Sequence, residues 1–274
     1  MGGRLGAVDV QAPYLIVIAV LGLLFGSFLN VCIYRIPRDL SVVAPRSFCP
    51  ECGTQISWRD NIPLLSYFIL RGKCRFCGKP IGIRYPLVEL TTALTFVAVA
   101  VEYGWTVAAF KWSVFEAVLI VLFWTDLDER ILPDELTLGG AAVGLIFTPF
   151  VPIPGVFADL LLPGSRPVWR SLLNAGLGVL LLAGPIWLLA ILYARVRKRE
   201  VPDVLGMGDL KLILLMEVFL GLEKGLLAAL IGTISGSVLG ITYIWLRRKE
   251  AGKYELPFGT FLCAGAALVP LVTK

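Results

Sequence analysis

The chain has no histidine in 274 residues. The commonest general base is therefore missing, and any acid–base chemistry must come from other groups. Charge is scarce as well. Asp, Glu, Lys and Arg make up 16% of the residues, where a soluble domain carries about 25%. A soluble fold of this length could bury a large core but could not cover it with so few polar groups. No internal repeat and no low-complexity tract stands out. No small-residue cleavage site follows the apolar run Tyr14–Ile33, so that run reads as a retained helix rather than a removable signal. What is present is apolar: 57% hydrophobic residues and a mean hydropathy of +0.82. The composition predicts an all-α polytopic membrane protein. The net charge of +5 is modest, and the basic residues fall between apolar runs. That pattern fits anchoring at a lipid bilayer and argues against nucleic acid as a partner.

A bilayer span takes about 20 apolar residues, fewer where a helix ends inside a bundle. About eight candidates follow: 13–34, 86–103, 112–125, 136–152, 171–194 and 225–246, with shorter ones at 210–221 and 258–273. Lys and Arg concentrate in the connections after the first, third, fifth and seventh spans. Those connections are expected in the cytoplasm, with both termini outside. The expected organisation is a first helix over 1–34, a cytoplasmic loop domain over 35–85 and a seven-helix bundle over 86–274. The stretch 152–170, with Pro152, Pro154, Pro163 and Pro167, reads as an irregular outer connection or a short interfacial helix.

Two aspartates occupy costly places in this background. Asp126 closes the apolar run Val118–Thr125, and Asp209 stands in Gly206-Met207-Gly208-Asp209, just before another. A carboxylate at a membrane boundary is disfavoured unless it is paired, hydrated or used. Taken singly, Asp126 reads as a helix end reaching water and Asp209 as an N-cap. Together, on one membrane side and beside glycines that permit close approach, they suggest a dyad in which one carboxyl is the acid and the other the base. Asp128, Glu129, Asp134 and Glu135 are rivals to Asp126, and Asp203 is a weaker rival to Asp209. Lys211 reads as a snorkelling side chain that could also stabilise an ionised neighbour.

Cys49-Pro50-Glu51-Cys52 and Cys74-Arg75-Phe76-Cys77 form two Cys-x-x-Cys knuckles, each followed by glycine, Gly53 and Gly78. The glycine allows the tight turn that aims two sulfurs at one ion. Four thiolates fill a tetrahedral zinc site and leave no open position. The expected Zn²⁺ is structural, held by Cys49, Cys52, Cys74 and Cys77 in a small zinc-ribbon-like domain. Disulfides are the competing reading and are disfavoured in the cytoplasm. Asn30 is an amide inside the first span that needs partners. Glu89 lies a few residues into the second span and either pairs with Arg35 or Arg84 or holds a cationic ligand. Cys32 and Cys263 read as packed core thiols.

Taken in order, these motifs resemble the type IV prepilin peptidase family. The resemblance runs from Gly26-Ser27-Phe28-Leu29-Asn30-Val31 and Tyr34-Arg35-Ile36-Pro37 through the four cysteines to Arg84-Tyr85-Pro86-x-Val88-Glu89. It continues with Asp126 and Ile131-Leu132-Pro133-Asp134 and ends with Gly206-x-Gly208-Asp209-x-Lys211. Trp124-Thr125 before Asp126 departs from the aliphatic residues expected there. The resemblance implies a bifunctional enzyme of the bacterial inner membrane. Such an enzyme cuts the short basic leader from prepilins and pseudopilins on the cytoplasmic side, after a glycine. It then methylates the new N-terminal amine with S-adenosylmethionine. The resemblance carries the catalytic aspartates onto Asp126 and Asp209. The first cytoplasmic loop is its candidate region for methylation, and Glu89, where that loop enters the membrane, is the candidate cofactor-binding residue, placed to meet the cofactor's sulfonium or the substrate's new amine. Two rival readings stand beside it: another Gly-x-Gly-Asp intramembrane aspartyl protease, and a non-enzymatic transporter or assembly scaffold using the same carboxyls as cation sites. The four-cysteine loop disfavours the first. The lack of pseudo-repeats disfavours the second.

Overall fold

A computed structural model describes residues 5–198, 206–247 and 256–273. Among these the protein is all-α. Nine α-helices follow in order: α1 (Leu5–Arg35), α2 (Leu65–Ile69), α3 (Arg84–Tyr103), α4 (Val107–Glu129), α5 (Asp134–Phe147), α6 (Val156–Leu161), α7 (Pro167–Arg197), α8 (Met207–Arg247) and α9 (Phe258–Val272). Local chemistry sets many of the boundaries. Pro37 follows the end of α1 and cannot extend its hydrogen-bond ladder. Pro86 falls in the first turn of α3, where its missing N–H is not needed. The Thr106 hydroxyl accepts from the Ala109 N–H at 3.2 Å and caps α4. Asp134 and Glu135 lie in the first turn of α5, and Arg195 and Arg197 in the last turn of α7, each complementing the helix dipole.

Among the described residues, four helices are long and apolar enough to cross a membrane: Ala12–Arg38, Arg84–Tyr103, Val107–Glu129 and Pro167–Arg197. The protein is thus a polytopic α-helical membrane protein. The expected spans at 210–221 and 225–246 fall within the single helix α8, which breaks at Gly221 (φ 71°, ψ 174°). α5 and α9 have 14 and 15 residues, short for a bilayer of about 30 Å. The Pro-rich connection contains the short helix α6.

The chain divides into two compact units, Met1–Val121 and Leu122–Lys274, with the division inside α4. In the first, α1 lies against α3 where glycines remove the side-chain barrier. A Cβ at Gly26 would stand 2.6 Å from the Glu89 Cα, and one at Gly22 2.6 Å from the Ala93 Cα. Lipid gives no hydrophobic drive between helices, so such small-residue contacts carry the packing. In the second unit α8 packs against α5, α7 and α9, around buried Leu212, Leu215, Met216 and Phe219.

In the loop 36–83 the two knuckles are nearly superposable in bonding. Gly53 N–H donates to Cys49 O and Gly78 N–H to Cys74 O, at 2.9 and 3.0 Å. Both glycines take the left-handed conformation, at φ 68° and 69°, which a side chain would strain. Each knuckle closes with one isolated antiparallel bridge, Phe48–Gln55 and Lys73–Pro80. Among the described residues these bridges do not extend into a sheet, so the full ribbon architecture is not seen.

Candidate functional site

Asp126 stands near the end of α4, buried at 5% exposure. Its position is fixed by the start of α9. Thr260 donates to Oδ2 twice, from its backbone N–H at 2.6 Å and from its hydroxyl at 2.8 Å. The same hydroxyl also lies 3.3 Å from the Phe123 carbonyl. Gly259 makes this approach possible, since a Cβ there would lie 3.1 Å from the Asp126 Cγ.

Asp209 is half-buried in the first turn of α8. It is the third residue of the helix rather than its N-cap. Its backbone N–H closes a turn onto Gly206 O at 3.1 Å. Leu132 links the two aspartates' surroundings: a Cβ at Gly208 would meet its Cβ at 3.0 Å, and a Cβ at Gly259 its Cδ1 at 3.0 Å. The carboxylates of Asp126 and Asp209 are close enough to interact electrostatically. Cys263, one turn beyond Thr260, is fully buried within electrostatic reach of both. It is a core thiol, as expected, but one that packs beside the acidic pair.

The rivals are placed differently. Asp134 takes both its oxygens to Lys211, whose Nζ donates at 2.6 and 2.7 Å. Lys211 therefore pairs with a carboxylate from α5. Asp128 is exposed and Glu129 is half-buried. Asp203 lies outside the described residues.

In the first unit Glu89 is buried at 8% exposure. It accepts from the Leu64 N–H at 2.7 Å and from the Ser27 hydroxyl. Of the alternatives open from sequence, pairing with Arg35 is not made: both terminal guanidinium nitrogens of Arg35 donate to loop carbonyls, Ser41 O and Pro45 O, at 2.7 Å. Asn30 finds partners for its amide nitrogen in Gly26 O and Tyr85 O.

The four knuckle sulfurs converge, all within 4.8 Å of one another, with Cys49 and Cys77 Sγ 4.0 Å apart. All four thiols are free, so no disulfide competes. Hydrogen bonds with the Thr54 hydroxyl and backbone hold the Cys52 thiol down to about 6, while burial and the neighbouring thiols push Cys77 up to about 11.

Several buried polar groups were not legible as such. Thr260 carried only a weak signal, its place after Pro257 and Gly259 at a helix start. Glu116 and Glu217 are fully buried, and their carboxyl oxygens have no hydrogen-bond partner. Lys111 is fully buried on α4 with its ammonium over the Trp112 ring.

Comparison with known proteins now bears on this geometry. Residues 20–103 match the bacterial peptidase A24 N-terminal domain, and residues 113–241 match the type IV leader peptidase family. The prepilin leader peptidase/N-methyltransferase of Aeromonas hydrophila is 34% identical over 278 residues, covering 91% of this chain and 87% of that protein. The chain belongs to the type IV leader peptidase family. The like-named protein of Myxococcus xanthus is 38% identical, over 86% of this chain, and this chain spans 65% of its length. That of Pseudomonas aeruginosa is 34% identical, covering 88% of this chain and 84% of its own. No solved structure matches. All of α8 through Ile241, with Asp209, falls inside the leader peptidase match, as does Asp126, while Thr260 lies beyond it.

Proposed function

We propose that Asp126 and Asp209 are the acid–base pair with which this leader peptidase hydrolyses its substrate. As a family member the chain is a prepilin leader peptidase/N-methyltransferase of the bacterial inner membrane, acting on prepilins or pseudopilins. The observation that carries the residue assignment is the double hydrogen bond from Thr260 to Asp126 Oδ2, with a second carboxyl within electrostatic reach. Thr260 locks one oxygen and so orients the carboxyl. Asp126 takes the proton of an attacking water. Asp209 carries the shared proton, polarises the scissile carbonyl and gives that proton to the leaving amine. No acyl-enzyme forms, and without histidine none of these steps passes through imidazole. A substrate with its own apolar helix reaches the pair laterally through the bilayer, presenting its leader junction at the cytoplasmic face. The eight-span arrangement fits this reading, with α5, the two parts of α8, and α9 added to the four long helices.

Cys49, Cys52, Cys74 and Cys77 fit a structural Zn²⁺. Their sulfurs need to draw in only slightly to reach the spacing of about 3.8 Å that zinc–thiolate bonds of about 2.3 Å require. The ion would tie together the two knuckles of the first-unit loop. S-adenosylmethionine supplies the methyl group for the second activity.

The deciding experiment incubates purified protein with a prepilin and S-adenosylmethionine and reads the product by mass spectrometry. Loss of the leader with gain of one methyl group is expected. An intact prepilin would overturn the peptidase assignment.

A further inference from the structure

A groove of about 290 Å³ opens on the side of α1, between that helix and the segment that follows it. Its lining takes in no residue of α3 and none of the four cysteines. One wall is α1 itself, through Leu24, Phe28 and Val31, all within the membrane-spanning stretch Ala12–Arg38. At the helical rise of about 1.5 Å per residue, Leu24 stands about 16 Å and Val31 about 6 Å inside the helix end at Arg35. Leu24 and Phe28 are 53% and 47% exposed, and at that depth the exposure is to lipid.

The other wall runs from Val42 to Ser47 and is joined by Asn61 and Pro63. Arg35 fixes it against the helix by donating to Ser41 O and Pro45 O, each at 2.7 Å. Val43 stands out at 87% exposed. The groove is therefore graded. Its α1 side is apolar, and its mouth carries Arg46, Ser47 and Asn61. Arg75 and Lys79 elsewhere in the loop are paired with Asp60 and Glu51. Among the described residues the exposed Arg46 side chain has no hydrogen bond or ion pair, and neither have the side chains of Ser47 and Asn61. Two arginines and no carboxylate line the groove.

An apolar channel inside the span that ends on an unpaired guanidinium matches a molecule with a hydrocarbon tail and an anionic head. We propose that this groove holds one anionic phospholipid. Its phosphate receives Arg46 and the donors of Ser47 and Asn61, and an acyl chain lies along Leu24, Phe28 and Val31. Arginine forks suit phosphate oxygens, and basic residues beside a span are drawn to anionic lipid. The absence of a carboxylate decides against two other occupants. The ammonium of a zwitterionic headgroup would find no partner, and a basic leader peptide would be repelled.

The test titrates full-length purified protein in detergent with phosphatidylglycerol or phosphatidylethanolamine of the same chains and counts bound lipid by native mass spectrometry. Wild-type protein should bind one phosphatidylglycerol more tightly than phosphatidylethanolamine. Arg46→Gln should weaken phosphatidylglycerol about tenfold or more, as for loss of a hydrogen bond between charged groups. Val43→Asp, at an exposed position, should weaken it too by placing a negative charge on the groove. Arg71→Gln removes a charge from the loop outside the groove and should matter less than about twofold, since only screened attraction is lost. A thermal melt without lipid establishes that each variant is folded. Wild-type affinity in both groove variants overturns the site. Equal loss in Arg46→Gln and Arg71→Gln assigns the attraction to the net charge of the loop and also overturns it. Competition by soluble glycerol 3-phosphate would show a phosphate site rather than a lipid site. A prepilin that displaces the lipid and is itself weakened by Arg46→Gln would give the groove to the substrate instead.

Discussion

Thr260 is the residue on which the orientation of the acidic pair turns. Its backbone N–H and hydroxyl both reach Asp126 Oδ2, and a hydrogen bond to a charged group is worth about 1.5–3 kcal/mol. Thr260→Val keeps the backbone donor and the side-chain shape but removes the hydroxyl. Leader cleavage should slow about tenfold or more, since each 1.4 kcal/mol or so is a factor of ten in rate. Asp126→Asn and Asp209→Asn should each cost about 10³-fold or more in cleavage while leaving the protein folded, because in the proposed mechanism both members of the pair exchange protons. An Asn variant that cleaves near the wild-type rate would remove that residue from the mechanism. Asp134 gives the contrasting case. Its pairing with Lys211 is exposed, and such a pair contributes about 0–1 kcal/mol. Asp134→Asn should change cleavage by less than about fivefold, and a larger loss would restore Asp134 as a rival to Asp126.

Among the elements, close helix contacts are set by glycine and disturbed by one buried acid. Gly26→Ala would place a methyl group 2.6 Å from the Glu89 Cα, against backbone that cannot swing aside. The variant should lose about 1–3 kcal/mol of stability through overpacking, read as a lower thermal midpoint in detergent. Glu217 poses the opposite case. Gly178 on α7 and Gly225 on α8 leave room for its carboxyl, since a Cβ at either would overlap it. Both carboxyl oxygens nevertheless remain unpaired. Glu217→Met keeps the volume and removes the unsatisfied polar atoms, so the thermal midpoint should rise. A fall would mean that the carboxyl has a partner. Gly221 lies between Glu217 and Gly225 on α8. Asn174 accepts from the Leu222 N–H at 3.2 Å and satisfies a donor that the helix break releases.

For the whole molecule, the proposed zinc and the bilayer set the terms. The four-cysteine loop has few buried apolar residues of its own. Ion pairs such as Arg75–Asp60, bidentate at 2.6 and 2.8 Å, tie its surface. Surface pairs contribute little, so a bound zinc should supply much of the loop's stability. Protein purified without chelator should carry one zinc per chain, and Cys74→Ser should lower both zinc content and the protease resistance of residues 36–83. Metal-free protein with a protected loop would count against the site. The basic residues between spans favour a cytoplasmic position for this loop, which reporter fusions placed within it would check.

Composition alone determined the class of this protein. Scarce charge and long apolar runs leave no soluble alternative, and the bilayer then forces helices because their backbone groups must be satisfied internally. The knuckle spacing was equally legible, because two Cys-x-x-Cys turns with trailing glycines are local geometry. Asp126 and Asp209 could be singled out because a carboxylate beside an apolar run is costly wherever it occurs. Their shared surroundings could not be read this way. Thr260 is 134 residues from Asp126 in sequence, and only the packing of α9 against its neighbours brings its two donors to that carboxyl. Of the partners open to Glu89 from sequence, Arg35 is held by loop carbonyls, and the carboxyl accepts from Leu64 and Ser27 instead. Hydrogen-bond partners over such separations depend on which helices touch, and glycine contacts in the folded bundle decide that. The apolar pattern marks which residues enter the membrane but does not state which faces meet there.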